Sequence, residues 1–404
     1  MSHFEKRCLA CHVVVADPAA FVCQQCGGVL GFRYDYSRIE WDDRFANSMW
    51  RYWRLLPIRD PNKLITLEEG RTPLLQTRLF SGQNVYLKDE CRNPTGSHKD
   101  RALSVAVNHA NVLGARTSFV VSTGSTGISN AAFSARAGIR SAVIMAVGTP
   151  SERIYPMFAL GSHILEVNEE IDVLIDEVIR ICRERKLYLS STSRSSNPYQ
   201  SEGNKTIAFE ILESLGRAPD WMVIPVGGGG TIAGIWRGFK DLYELKKISS
   251  LPRLVGVVPR HYNALEAAFE QNLSDWDSIS KMPYHDLPSS ILVKLAHAYP
   301  PDGTEALDAV RESAGFFTSV TDEDAVESVG RIGCSTGLYV EPSTGALLPV
   351  IDKMVASGRL EKKQSLVALM CGSGFRETFV TKERVPLKKQ TLNIEQLHAM
   401  LSQT

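Results

Sequence analysis

From about residue 85 onward, short apolar runs rich in β-branched residues alternate with longer stretches of helical periodicity. The runs are NVYLKD (84–89), TSFVVS (117–122), SAVIMAV (141–147), SHILEVN (162–168), KLYLSS (186–191), WMVIPVG (221–227), RLVGVVP (253–259), GFFTSV (315–320) and SLVALMC (365–371). Amphipathic stretches at 100–114, 128–138, 171–185, 205–216 and 231–245 lie between them. Strands joined by helix-length segments require crossovers, so the pattern predicts an α/β chain of two three-layer domains with mainly parallel sheets. Upstream, Phe45, Met49, Trp50, Trp53 and Leu56 recur at helical intervals and predict an apolar helix face packed on the body. The stretch from about Gln271 to Ala314 is irregular and reads as an insertion or a mobile lid. The charged tail ends in one short surface helix, LNIEQLHAMLS (392–402).

Composition narrows this picture. A chain of 404 residues, 44% of them hydrophobic, is too long for one ordinary domain. The expected division is a ribbon-like element at 1–35, a larger domain from 36–105 and 221–385, a smaller one at 106–220, and a tail at 386–404. The 45 basic and 45 acidic residues balance, which argues against nucleic acid or an anionic membrane as partner and favours a small molecule. No apolar run approaches the roughly 18 to 20 residues that span a bilayer, and the start MSHFEKRC is polar; a soluble, cytoplasmic protein is expected.

Four of the eight cysteines fall in the pattern C-x2-C-x11-C-x2-C, as Cys8, Cys11, Cys23 and Cys26. Two such knuckles with a ribbon-length spacer predict a structural zinc site, because four thiolates leave a tetrahedral ion no open position. A metal-free ribbon and a set of redox thiols are the alternatives.

Four turns carry the candidate chemistry. In NPTGSHKDRA (93–102), Lys99 stands at the start of a helix, where the macrodipole disfavours a cation. A neutral or covalently linked nitrogen escapes that penalty; taken alone, an ordinary surface lysine explains the position more simply. STGSTG (122–127) places backbone N–H groups and hydroxyls at a helix start, forming a carboxylate- or phosphate-sized anion site. PVGGGGT (225–231) reads as a phosphate cradle, with side chains absent where the backbone approaches an anion. It matches neither the Walker nor the GxGxxG spacing, so a nucleotide is not the expected phosphate. LMCGSG (369–374) puts Cys371 at the end of an apolar strand, where a buried thiol is more often core than functional.

In this order the turns resemble those of threonine synthase, cysteate synthase and related enzymes of the tryptophan-synthase-β type, which use pyridoxal 5′-phosphate (PLP) on fold type II. EEGRTPLL (68–75), NPYQSEGNKTIAFEI (197–211) and GLYVEPSTGALL (337–348) extend the resemblance over nearly the whole chain. It implies a Schiff base on Lys99, which then shuttles protons, and a cofactor phosphate held by Gly227, Gly228, Gly229, Gly230 and Thr231. It further implies a substrate carboxylate held by Ser122, Thr123, Gly124, Ser125 and Thr126, with Cys371 facing the pyridine nitrogen. A neutral group there, in place of a carboxylate, leaves that nitrogen largely unprotonated and favours expulsion of a leaving group over transamination.

Three positions depart from the family pattern. His98 stands where the family has phenylalanine, as an acid–base group or a packing substitute. Ser125 replaces the asparagine that reaches the cofactor's ring hydroxyl. Cys371 and Ser373 replace the threonine and histidine of a TGHG turn. The resemblance implies a lyase that expels phosphate from an O-phosphorylated small amino acid, O-phosphohomoserine first, and adds water. The alternatives are β-replacement or β-elimination on O-phosphoserine or O-phosphothreonine, and a PLP-binding regulatory protein without turnover. A phosphate leaving group calls for a second anion site, with Lys205, Ser97, Thr126 and His98 as candidates. A homodimer is the expected assembly.

Overall fold

The computed structural model describes residues 3–169, 171–191, 193–280, 282, 287–384 and 389–402. At the amino terminus β1 (Phe4–Cys8) and β2 (Leu30–Tyr34) pair antiparallel, with Cys8 opposite Leu30. The chain then forms β3 (Leu74–Gln76), β4 (Asn84–Asp89) and helix α1 (Lys99–Val112). Next come β5 (Thr117–Val121), α2 (Ser125–Ala137), β6 (Arg140–Ala146), α3 (Ser151–Ala159), β7 (His163–Val167), α4 (Ile171–Glu184) and β8 (Tyr188–Leu189). After α5 (Thr206–Leu215), β9 (Trp221–Pro225) and α6 (Gly230–Glu244) come β10 (Arg253–Pro259), β11 (Phe316–Val320) and β12 (Ser365–Met370). Every strand expected from the hydrophobic pattern forms.

Two sheets result. The larger runs β11-β10-β9-β12-β4-β3, parallel except for β3 against β4; the smaller runs β7-β6-β5-β8 and is wholly parallel. Helix α1 continues unbroken through the boundary expected at residue 105. In the larger sheet Met222, Ile224, Leu254, Val367 and Leu369 join one apolar cluster while Val223, Val255, Leu366 and Ala368 join another. Alternate residues of a strand point to opposite faces, and both faces are covered, which is why these strands read as continuous apolar runs. Burying each of the larger aliphatic chains contributes roughly 1.5–3 kcal/mol.

The segment at 43–56 departs from expectation. It forms 3-10 turns at Asp43–Phe45 and Met49–Leu55, kinked at Tyr52, and not an α-helix. Its aromatics are pinned in different directions: Trp50 Nε1 donates to Glu69 at 2.6 Å and Trp53 Nε1 to Asp42 at 3.0 Å. The packing expectation holds, since Met49, Trp50 and Leu56 are buried with Phe45 and Trp53 against them. The irregular stretch after Gln271 contains a helix at Gly303–Glu312, and its residues 281 and 283–286 lie outside the described residues. The tail helix forms at Ile394–Leu401, with Asn393 and Gln396 closing a capping box. Among the described residues no helix is long and apolar enough to cross a membrane.

The orientation of α1 is set by charge. Arg101, fully buried, donates to Glu90 at 2.7 and 2.8 Å and to Glu210 at 2.7 Å through two nitrogens; Lys88 reaches the same Glu210 at 2.6 Å. Burial raises both glutamates' pKa values, but Arg101 and then Lys88 more than offset it and hold them below the usual carboxylate range. Two cations and two anions therefore occupy one dry volume with no net charge. Arg101→Met would leave the carboxylates undercompensated, and we expect it to cost about 3–5 kcal/mol. Urea unfolding checks this; a change below about 1 kcal/mol would mean that the cluster does not anchor the helix.

Candidate active site

Catalytic groups in open α/β sheets gather beyond the carboxyl ends of parallel strands, and the four turns do so here. Ser122 follows β5, Gly227 follows β9, Cys371 follows β12, and Lys99 lies one turn beyond β4. They line a cavity of about 270 Å³.

Lys99 is the first residue of α1, its backbone N–H directed to Ser97 Oγ at 3.3 Å. Among the described residues its Nζ has no hydrogen-bond or ion-pair partner. Burial lowers its pKa, outweighing the opposing effects of Cys371 and Asp302. An enclosed, unpaired amine of lowered pKa is a nucleophile for an aldehyde. A second lysine, Lys294, also lines the cavity, but its Nζ is bound by Glu341 and by Glu377 (3.1 Å). Ion pairing keeps that nitrogen's lone pair occupied, which separates the roles of the two lysines.

The STGSTG turn is organised by Ser122, whose Oγ accepts from the N–H groups of Gly124 at 3.1 Å and Gly127 at 3.0 Å. Helix α2 starts at Ser125, with Ser122 capping the N–H of its third residue, and Thr123, Gly124, Ser125 and Thr126 line the cavity. Ser125 Oγ is buried without a partner. An orphaned hydroxyl at a helix start suits a polar ligand group.

The glycine turn opens α6, and Gly227, Gly228, Gly229, Gly230 and Thr231 all line the cavity. Its glycines are explained by protein as much as by an anion. A Cβ at Gly227 would lie 2.5 Å from Lys294 O, and one at Gly229, where φ is +92°, 2.7 Å from Asp302 O. Segment 294–302 thus presses on one side of the turn and leaves its N–H groups for the other.

His98 joins this turn to the end of β12. Its Nδ1 lies 3.0 Å from Cys371 O and its Nε2 3.1 Å from Thr231 Oγ1. A carbonyl only accepts, so Nδ1 carries the proton and Nε2 accepts from the threonine hydroxyl. Burial, and then Lys99, lower the His98 pKa to about 3, leaving the ring neutral. It is neither a simple packing substitute nor a group that titrates near neutral pH.

Cys371 Sγ donates to Glu341 Oε1 at 3.3 Å and lies 3.2 Å from Thr344 Oγ1. Burial and the Glu341 charge push its pKa well above the usual thiol value, so it stays protonated. A carboxylate therefore stands directly behind the neutral thiol, a feature the sequence reading did not include. Glu341 is in turn held through Lys294, Glu377 and Arg153, the last pair at 2.8 Å.

Ser97, His98 and Thr126, three of the four candidates for a second anion site, line the cavity; Ser97 Oγ is directed to Cys371 O at 3.3 Å. Lys205 does not line it and is corrected: its Nζ is bound to Glu202 at 2.9 Å and Asp241 at 2.7 Å, over the ring of Tyr34. Gln200 and Asn204, on the other face of the same 200–205 turn, line the cavity, with Gln200 Nε2 and Asn204 Oδ1 buried and unpartnered. Their four-residue spacing within NPYQSEGNKT is a signal that could have found them. At the amino terminus the sulfurs of Cys8, Cys11, Cys23 and Cys26 lie within 4.8 Å of one another, with Cys8–Cys26 at 3.5 Å and Cys11–Cys23 at 3.7 Å. A tetrahedron with metal–sulfur distances of about 2.3 Å has edges of about 3.8 Å. The donor set and spacing fit a closed metal site.

A family model of pyridoxal-phosphate-dependent enzymes matches residues 65–372, and the chain belongs to that family. It is a PLP-dependent lyase. Among curated relatives, threonine synthase of Methanocaldococcus jannaschii is 32% identical over 387 residues, covering 92% of this chain and 93% of that protein. Threonine synthase of Halalkalibacterium halodurans is 34% identical over 339 residues, covering 82% and 91%. Two solved structures share the fold at lower identity. An L-serine ammonia-lyase from Rhizomucor miehei has a TM-score of 0.65 at 21% identity, covering 78% of this chain and 97% of that one. An O-ureido-L-serine synthase has a TM-score of 0.63 at 20% identity, covering 82% and 96%.

The thiol's surroundings predict the behaviour of Cys371 variants. A hydroxyl can also donate to Glu341, so Cys371→Ser should keep activity within about tenfold. Complete loss with cofactor still bound would instead require a covalent role for the sulfur, as steady-state assays of the cofactor-loaded variant would reveal.

Proposed function

We propose that this enzyme expels phosphate from the side chain of an O-phosphorylated amino acid, with O-phosphohomoserine as first candidate, and adds water. The observation that carries this reading is the 31–34% identity to threonine synthases over most of the chain. The cavity supports it by offering two helix starts, at α2 and α6, together with an unpaired lysine.

PLP, when bound, supplies an electron sink for the electron pair left as a substrate carbon loses its proton. The protein's part follows from the geometry above. Lys99 holds the cofactor, and its amine then takes and returns the proton at the substrate carbons. The N–H groups of the glycine turn, at the start of α6, hold the cofactor phosphate. The N–H groups at the start of α2, with the free Ser125 hydroxyl, hold the substrate carboxylate. Cys371 would meet the ring nitrogen as a neutral thiol, its single proton given either to that nitrogen or to Glu341.

The departing phosphate needs donors beyond the cradle. Of the four candidates, Lys205 is remote, His98 is neutral and Ser97 is engaged. The Thr126 hydroxyl remains, joined by the unpartnered Gln200 amide. We assign zinc to the four cysteines, in a structural role and outside the reaction, and a homodimer as the assembly.

Phosphate release from O-phosphohomoserine, O-phosphothreonine and O-phosphoserine tests the reading. At least one of them should exceed serine, threonine and O-acetylserine in kcat/KM by about a hundredfold, the worth of one well-placed donor to a leaving anion. Faster turnover of the unphosphorylated amino acids or O-acetylserine than of all three esters would sink it.

A further inference from the structure

The four-cysteine ribbon lies outside the residues of the family match, yet buried polar contacts join it to the glycine turn. Leu30 of β2 packs with Cys8 and Cys23 in the ribbon's own core. Its carbonyl accepts from Arg194 Nε at 3.1 Å, and a side chain at the next residue, Gly31, would collide with the Arg194 guanidinium. Arg194, 6% exposed, donates its backbone N–H to Asp302 Oδ1 at 2.9 Å. The Asp302 N–H in turn donates to Gly228 O at 2.8 Å, within the glycine turn. A parallel route runs from Arg194 Nη1 to Glu305 at 2.8 Å and from Glu305 to Arg237 at 2.7 Å. Arg237 belongs to α6, whose first turn is the glycine turn itself.

We propose that Arg194 is a positioning residue that couples the metal-loaded ribbon to the phosphate cradle, so that cofactor affinity depends on the state of the ribbon. A run of glycines has no side chains with which to fix its own shape, and Gly229 sits in the left-handed region. Its conformation is imposed from outside, by segment 294–302, and Arg194 holds Asp302 at the end of that segment. A ribbon that loses its metal loosens the Leu30 carbonyl and Gly31, releases the guanidinium, and lets the cradle's N–H groups spread before a phosphate arrives. Linkage makes the effect reciprocal: bound cofactor must tighten metal binding by the same factor. The coupling rests on the zinc reading of the four cysteines.

The test uses the full-length, cofactor-depleted protein under reducing conditions, metal-loaded or metal-stripped, with PLP affinity measured by equilibrium dialysis. Stripping should weaken PLP binding by about tenfold, within the usual range of coupling between sites. Arg194→Ala should bind PLP weakly in both forms, abolishing the dependence on metal. Gly31→Ala, which replaces no metal ligand and whose methyl would meet the Arg194 guanidinium, should behave as Arg194→Ala does. In the wild type the zinc dissociation constant should fall by the same factor when PLP is bound. Zinc present, with PLP affinity of the loaded and stripped wild type equal within about twofold and the circular dichroism unchanged, overturns the coupling alone. A folded, reduced protein that carries no zinc overturns the ribbon reading and the coupling with it. Should Arg194→Ala fail to fold, the wild-type comparison decides.

Discussion

The buried guanidinium of Arg101 is the constraint on which the site depends. It sits two residues after Lys99, and its ion pairs with Glu90 and Glu210 fix the first turn of α1 against the 3-10 turn that follows β4 and against α5. Its backbone is equally confined, because a side chain at Gly203 would collide with the Arg101 carbonyl. Burying four charged side chains costs several kcal/mol each before compensation, so the cluster is a poor source of net stability. What it supplies is orientation. The placement of α1 that forms these bonds also brings Lys99 to the cavity.

From that fixed helix the rest of the chemistry is an arrangement of strand ends. Helices α2 and α6 begin at the cavity, and Cys371, a thiol that burial keeps neutral, lines it at the end of β12. His98 ties these parts together, spanning from Thr231 at the cradle to the carbonyl of Cys371. A histidine can make that bridge where a phenylalanine can only fill space, which gives the substitution a physical content. Glu341 and Lys294 lie behind the thiol as an ion pair, so the carboxylate's field at Cys371 is tempered by the cation beside it.

Legibility in the sequence followed the range of the interactions. Strands buried on both faces announced themselves as apolar runs, and glycine turns at strand ends marked the segments that line the cavity; both are local signals. The three-residue strand β3 carried too few residues for a period to show, and the ribbon strands FEKRC and LGFRY carry charged residues that interrupt an apolar run. The aromatic segment at 49–55 has helical spacing but spends it on two separately anchored tryptophans, and a kink at Tyr52 results. Lys205 was misplaced because charge alone suggested an anion site. Its true partners, Glu202, Asp241 and Tyr34, come from three different elements, and Gln200 and Asn204 take the cavity face. Lys294 and His297 reach the site from an irregular segment with no periodic pattern to reveal them.

The central claim is that the lysine at the start of α1, unpaired and lowered in pKa by burial, carries the cofactor, while the ion-paired Lys294 on the opposite wall does not. Borohydride reduction of the PLP-loaded protein, followed by proteolysis and mass spectrometry of the cofactor-bearing peptide, tests this most directly. The account predicts a single modified residue, Lys99. Modification of Lys294, or of any lysine outside the cavity, would contradict it.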